Sequence, residues 1–195
     1  MLDRAARRRL DPLLDALAER CVAHGISANT VTLIGFGIGL LAMLFIALGH
    51  DVIGLVLLLL NRMADGVDGA VARRTQPTTR GGYLDIVLDF ILYSGVPFVF
   101  AVGHPEHALA AAFLIFSFVG TGTSFLAFAI FKRDAPRGGK AFHYLGGLTE
   151  GTETIAFFVL VLLFPSTFAV AAGIFGVLCW VTTLGRIGAA LNALR

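Results

Sequence analysis

Four aspartates, Asp65, Asp68, Asp85 and Asp89, stand in the run NRMADGVDGAVARRTQPTTRGGYLDIVLDF. Spacings of three and four residues put each pair on one face of a helix. The surrounding sequence is apolar enough to read as two membrane spans. A carboxylate in hydrocarbon costs about 2.5–3.5 kcal/mol on insertion scales. Four of them within 25 residues therefore require compensating charge. Divalent cations supply it most simply, and ions held by carboxylates are a recurrent device for phosphoryl chemistry. Oxygen-only ligands, with no Cys or His nearby, suit Mg²⁺ or Mn²⁺ rather than zinc. Gly69 and Ala72 leave room beside the carboxylates, and Arg73 at the same rim can neutralise a phosphate. Two other readings stay open on spacing alone. The acids could form a proton or ion pathway in a transporter, or pair with Arg62 and Arg73.

The elements that must position these groups are helices. Mean hydropathy is +0.84, with 57% hydrophobic and only 14% charged residues, against about 25% charged in soluble domains. The chain is expected to be an integral membrane protein, all-α and a single domain over residues 1–195. A formal net charge of +2 gives no case for nucleic acid. The two cysteines, Cys21 and Cys179, suggest no disulfide framework. The charged N-terminus does not read as a secretory signal.

Residues 3–22 place Leu10, Leu13, Leu14, Leu17 and Cys21 on one stripe. This predicts an amphipathic helix lying in the membrane surface over residues 1–25; packing on the rest of the domain is the alternative. Six apolar stretches follow, 29–48, 51–73, 82–102, 108–131, 143–163 and 167–191, forming a bundle over 29–192. Each is long enough for a hydrocarbon core of about 30 Å. Lys and Arg cluster in the N-terminal segment and in the second and fourth loops, and are absent from the first, third and fifth. That alternation predicts both termini in the cytoplasm. The second and third spans then form a hairpin that brings both Asp pairs to matching depths, ~12 Å from its cytoplasmic end. The pairs Gly35/Gly39 and Gly147/Gly151 read as close helix packing.

The positions Asp65-xx-Asp68-Gly69-xx-Ala72-Arg73 and Gly81-xxx-Asp85-xxx-Asp89 resemble the motif of the CDP-alcohol phosphatidyltransferases. The segment Ser27-Ala28-Asn29-Thr30-Val31-Thr32 is similar to that family's Pro-Asn-x-x-Thr opening of the first span, with Ala28 in place of proline. Seven residues separate Arg73 from Gly81, where the family usually has eight. The resemblance covers nearly the whole chain. It implies transfer of a substituted phosphate from a CDP-linked donor to an alcohol, with release of CMP, in phospholipid biosynthesis. It implies two ions, Mg²⁺ or Mn²⁺, on Asp65, Asp68, Asp85 and Asp89, with Asp89 also the base for the acceptor hydroxyl. Asn29, Thr32, Gly69, Ala72, Arg73 and Gly81 would line the donor. It also implies a homodimer in the inner membrane, with the active site facing the cytoplasm. CDP-diacylglycerol and a small alcohol are the expected substrates. The alternatives are a CDP-linked head group with a lipid alcohol, or a carboxylate-dependent transporter.

For the acceptor, the candidates are Lys132, Arg133, Lys140 and Arg186, with Glu150 and Glu153 sharing a helical face. The two glutamates fit a cationic or polyhydroxyl acceptor, or a salt bridge to a basic side chain. Trp180 and His143 read as packing and interfacial residues.

Overall fold

The structure of the chain, a computed structural model, describes residues 2–132 and 149–193, with side chains in the first helix described from Asp11 onward. Seven α-helices form among the described residues: α1 (Leu2–Ala23), α2 (Ala28–Ala47), α3 (Asp51–Arg74), α4 (Thr79–Gly103), α5 (Ala108–Lys132), α6 (Gly151–Leu163) and α7 (Phe168–Ala193). Single 3-10 turns precede α5 and α7. There is no strand among the described residues. The chain divides into two compact units, Met1–Pro105 and Glu106–Arg195.

Among the described residues, four segments are long and apolar enough to cross a membrane: Ala28–Ala47, Thr79–Gly103, Pro105–Phe131 and Pro165–Ala193. Helix α3 has 24 residues, about 36 Å at 1.5 Å per residue, but its charges set it apart. Helix α6 has 13 residues, about 20 Å. The expected span 143–163 is thus corrected at its start, although residues 143–148 lie outside the described residues. Glu150 and Glu153 close a reciprocal capping box, which fixes the first turn at Gly151. Helix α4 also starts before the expected residue 82, because Thr78 caps it by accepting from the Gly81 amide at 3.0 Å.

In the first unit α2 packs against both α3 and α4. Glycines make this possible. A Cβ on Gly35 would stand 2.8 Å from the Ala64 Cβ, and one on Gly39 would stand 2.7 Å from Leu92. The close packing expected of this pair is therefore real; Gly147 lies outside the described residues. Helix α1 uses its apolar stripe on protein. Ala18 is fully buried with Val31, Val67, Ala70 and Val71, and Leu14, Leu17 and Cys21 pack around them. Leu14, Leu17 and Cys21 thus follow the alternative of packing on the domain, while Leu13 of the same stripe is exposed. Gly66 lets Leu14 approach, since a Cβ there would meet its Cδ1 at 2.8 Å. Arg74 adds ion pairs to Asp15 at 2.7 Å and Glu19 at 3.3 Å. At the start of α3, buried Asp51 pairs with His104, just past the end of α4, at 2.8 Å. The His104 ring stacks on Phe100.

In the second unit α5 packs along α7, and α6 also contacts α7. Phe157 stacks on Phe175 with centroids 4.9 Å apart, and Phe116 meets Trp180 at the same separation. Trp180 is thus a packing residue, as expected.

Candidate active site

All four aspartates fall in the first unit, on the facing sides of α3 and α4. One carboxylate oxygen from each of Asp65, Asp68 and Asp85 lies within 4.8 Å of the others. A small cavity of about 10 Å³ lies among Thr32, Asn61, Arg62, Asp65, Asp68, Asp85 and Asp89, the scale of one water-sized sphere. Three carboxylates converging on so small a space fit a divalent cation, which oxygen donors bind.

Asp68 is buried, and Thr32 Oγ1 lies 2.6 Å from its Oδ2 and 3.0 Å from the Ala28 carbonyl. A hydroxyl has one proton to give, and the nearer, charged acceptor takes it. Thr32 therefore orients a carboxylate of the cluster from the first turns of α2, a role that outer partners of metal ligands commonly have. Asp89 is placed differently. It is paired with Arg62, Nη2 to Oδ1 at 2.8 Å, while Arg62 Nη1 stands 4.0 Å from Asp65. Of the two cations that spacing alone offered as partners for these acids, Arg62 takes that role; Arg73 lies at the exposed rim.

Beside the cluster opens a cleft of about 440 Å³ whose lining includes Asn29, Thr32, Asp68, Gly69, Ala72, Gly81 and Asp85. The residues expected to line a donor are gathered here, with Arg73 arching over Gly69, whose added Cβ would lie 3.5 Å from Arg73 Nη1. A side chain at Gly81 would push Asn29 aside, because a Cβ would stand 2.8 Å from Asn29 Oδ1. Two helices begin at this cleft. Ser27 caps α2 by accepting from the Thr30 amide at 3.2 Å, and Thr78 caps α4. Ser27, Ala28, Thr78 and Gly82 line the same space. Helix N-termini carry partial positive charge and free amides, which favour an anion such as a diphosphate.

The sequence reading missed Asn61 and Tyr93. Tyr93 lies one turn beyond Asp89 on the face that also carries Asp85, and its hydroxyl accepts from Arg62 Nη1 at 3.2 Å. That periodicity was the available signal. It also missed Thr75, Gln76 and Pro77 of the cleft wall, which sit in a link with no motif of its own.

The acceptor candidates lie in the second unit, each with its own surroundings. Arg186 Nη1 donates to the Thr121 carbonyl at 3.1 Å, and its guanidinium lies over the Phe125 ring. Its Nε is buried without a hydrogen-bond partner. Glu153 accepts from the Glu150 amide at 3.2 Å, so this pair serves the start of α6. The Lys132 side chain, Arg133, Lys140 and His143 lie outside the described residues.

Residues 25–185 match the family described as CDP-alcohol phosphatidyltransferase. The inner membrane protein YnjF of Escherichia coli is 52% identical over 193 residues, 96% of this chain and 94% of that protein. An archaetidylinositol phosphate synthase of Pyrococcus horikoshii is 31% identical over 98 residues, 50% of this chain and 52% of that protein. The crystal structure of a Mycobacterium tuberculosis phosphatidylinositol phosphate synthase with CDP-DAG bound matches with a TM-score of 0.70 at 19% identity, covering 93% of this chain and 95% of that one. At that identity the likeness is one of fold. The match spans the carboxylate helices and the cleft together, which decides against a transporter: the chain belongs to the CDP-alcohol phosphatidyltransferase family and is an enzyme of that class.

Proposed function

We propose that this enzyme transfers the phosphatidyl group of CDP-diacylglycerol to the hydroxyl of a small alcohol, releasing CMP. The observation that carries this reading is the convergence of Asp65, Asp68 and Asp85 beside a cleft into which two helix N-termini open. The cleft offers amides and Arg73 to a diphosphate, and Gly69, Ala72 and Gly81 keep it wide enough for a nucleotide. The related fold with CDP-DAG bound supports a CDP-linked donor.

Asp65, Asp68 and Asp85 would hold divalent cations, Mg²⁺ or Mn²⁺, and a pair of ions would be completed at Asp89. When bound, such ions neutralise charge developing on the diphosphate and on the departing CMP. Thr32 keeps Asp68 turned into the cluster. Asp89 accepts the proton of the attacking hydroxyl, as a carboxylate within hydrogen-bond reach can. Arg73 draws the donor's phosphate to the rim, while Asn29 and Thr32 line the nucleotide's side. Lys132, Arg133, Lys140 and Arg186 are proposed to receive the acceptor.

The whole chain is read as one domain with six spans in the inner membrane, both termini cytoplasmic. The charged α3 and the short α6 complete the count. Basic residues at alternate loops support the orientation, and a relative named as an inner membrane protein supports the location. The site then faces the cytoplasm, where soluble CMP can leave while acyl chains stay in the bilayer. A homodimer is expected.

Purified protein in detergent should release CMP from CDP-diacylglycerol only with Mg²⁺ or Mn²⁺ and one of a panel of acceptors: glycerol 3-phosphate, inositol, inositol phosphate, serine and choline. CMP release that appears only with a CDP-linked head group and diacylglycerol would reverse the assignment of the lipid.

A further inference from the structure

Arg62 is a permanent cation built into the carboxylate site. Only 10% of its side chain is exposed, and every part of the guanidinium is engaged. Nη2 pairs with Asp89 at 2.8 Å, Nη1 donates to the Tyr93 hydroxyl at 3.2 Å, and Nε donates to Asn61 Oδ1 at 2.8 Å. Its Cζ lies 5.2 Å from the centre of the Tyr93 ring. Asn61 is itself fixed, its amide donating to the Gly35 carbonyl at 2.8 Å. Groups from α2, α3 and α4 thus pin one side chain, so it is not a mobile surface charge. The planar fork suits this multiple engagement in a way that a lysine ammonium does not.

The four carboxylates are therefore not equivalent. All four border the small cavity, but three bring oxygens within 4.8 Å of one another, while the fourth carries its own counter-charge. Four negative charges and one positive leave three negative. One divalent ion leaves a single negative charge. A second ion would turn the site net positive, within a few Å of a fixed guanidinium, unless an anion arrived with it. The donor's diphosphate is such an anion.

We propose that Arg62 stands in for the second divalent ion on Asp89, and so makes binding of that ion depend on the diphosphate of the donor. The first ion binds to Asp65, Asp68 and Asp85 alone. The second comes with the nucleotide, and Asp89 is then shared between Arg62 and the ion. Arg62 is a positioning residue in this scheme: it acts through Asp89. The inference rests on the reading above that the carboxylates bind divalent ions.

The test counts ions rather than turnover. Mn²⁺ is titrated into the purified full-length protein in detergent and followed by electron paramagnetic resonance, with and without cytidine 5′-diphosphate. Wild type should bind one Mn²⁺ per chain alone and two with the nucleotide. Arg62→Gln, which removes the fixed charge, should bind two without nucleotide, whereas Arg62→Lys should keep the wild-type dependence. Two ions on wild type without nucleotide would overturn the inference and leave the metal reading intact, and this outcome is readable even if the glutamine variant fails to fold. An Arg62→Gln count equal to wild type would overturn it as well. Absence of Mn²⁺ from the protein in both conditions would overturn both.

Discussion

Acid stands towards both ends of α3, and the two ends treat it differently. At one end Asp51 meets His104 at 2.8 Å, with the imidazole stacked on Phe100. One acid has one partner there, and the pair joins the start of α3 to the chain just beyond α4. Some 14–17 residues further along α3 (about 21–26 Å) Asp65 and Asp68 approach Asp85 and Asp89 of α4, and one arginine meets two of the four acids, Asp89 and, more distantly, Asp65. A cleft of about 440 Å³ lies against them. A buried acid with its own local partner is a fastening. A surplus of acid beside an open cleft is capacity for a cation and an anionic ligand.

The comparison predicts that changes at one end alter turnover without altering stability, and that changes at the other do the reverse. The largest effect is expected from Asp89→Asn. Loss of a general base lowers the rate by about 10²–10⁴-fold, read as CMP release, with the thermal midpoint kept. Normal turnover by this variant would remove Asp89 from the chemistry. Thr32→Val should weaken Mn²⁺ binding by about 10–100-fold, the usual range for an outer partner of a metal ligand. An unchanged affinity would mean that Asp68 needs no orienting. Asp51→Ala, at the other end, should lower stability by about 1–3 kcal/mol, while CMP release per folded molecule stays at the wild-type level. A turnover loss matching that of Asp89→Asn would erase the distinction between the ends. The smallest effect belongs to Arg74→Ala, whose ion pairs to α1 are screened by solvent and should leave a thermal melt almost unchanged. A larger loss in a thermal melt would show that α1 depends on these pairs rather than on Leu14, Leu17 and Ala18.

Much of the first unit was legible in the sequence because its signals are local. Apolar runs bounded by Gly49-His50 and by Thr75–Thr78 place α2, α3 and α4 within a few residues of their observed limits. The three- and four-residue spacings bring Asp65, Asp68 and Asp85 together. What was not legible depends on contacts distant in the chain. The sequence offered Arg62 and Arg73 alike to the acids, and no periodicity within one helix shows that Arg62, 27 residues before Asp89, is the one that pairs with it. The stripe of α1 looks the same whether it faces lipid or Val67 and Val71, since both are apolar. At α6 the glutamates that suggested an acceptor cap a helix, a use of acid that follows from backbone geometry rather than from hydropathy.

Helix α2 contributes no carboxylate, yet it sets the gauge of the site. Gly35 faces Ala64, the residue just before Asp65, and Gly39 faces Leu92, three residues after Asp89. The aperture between the acidic walls is thus calibrated from behind, by two missing methyl groups on a neighbouring strut. Enlarging either glycine would displace a wall without changing any carboxylate, so the separation of the acids can be tuned from a helix that carries none of them.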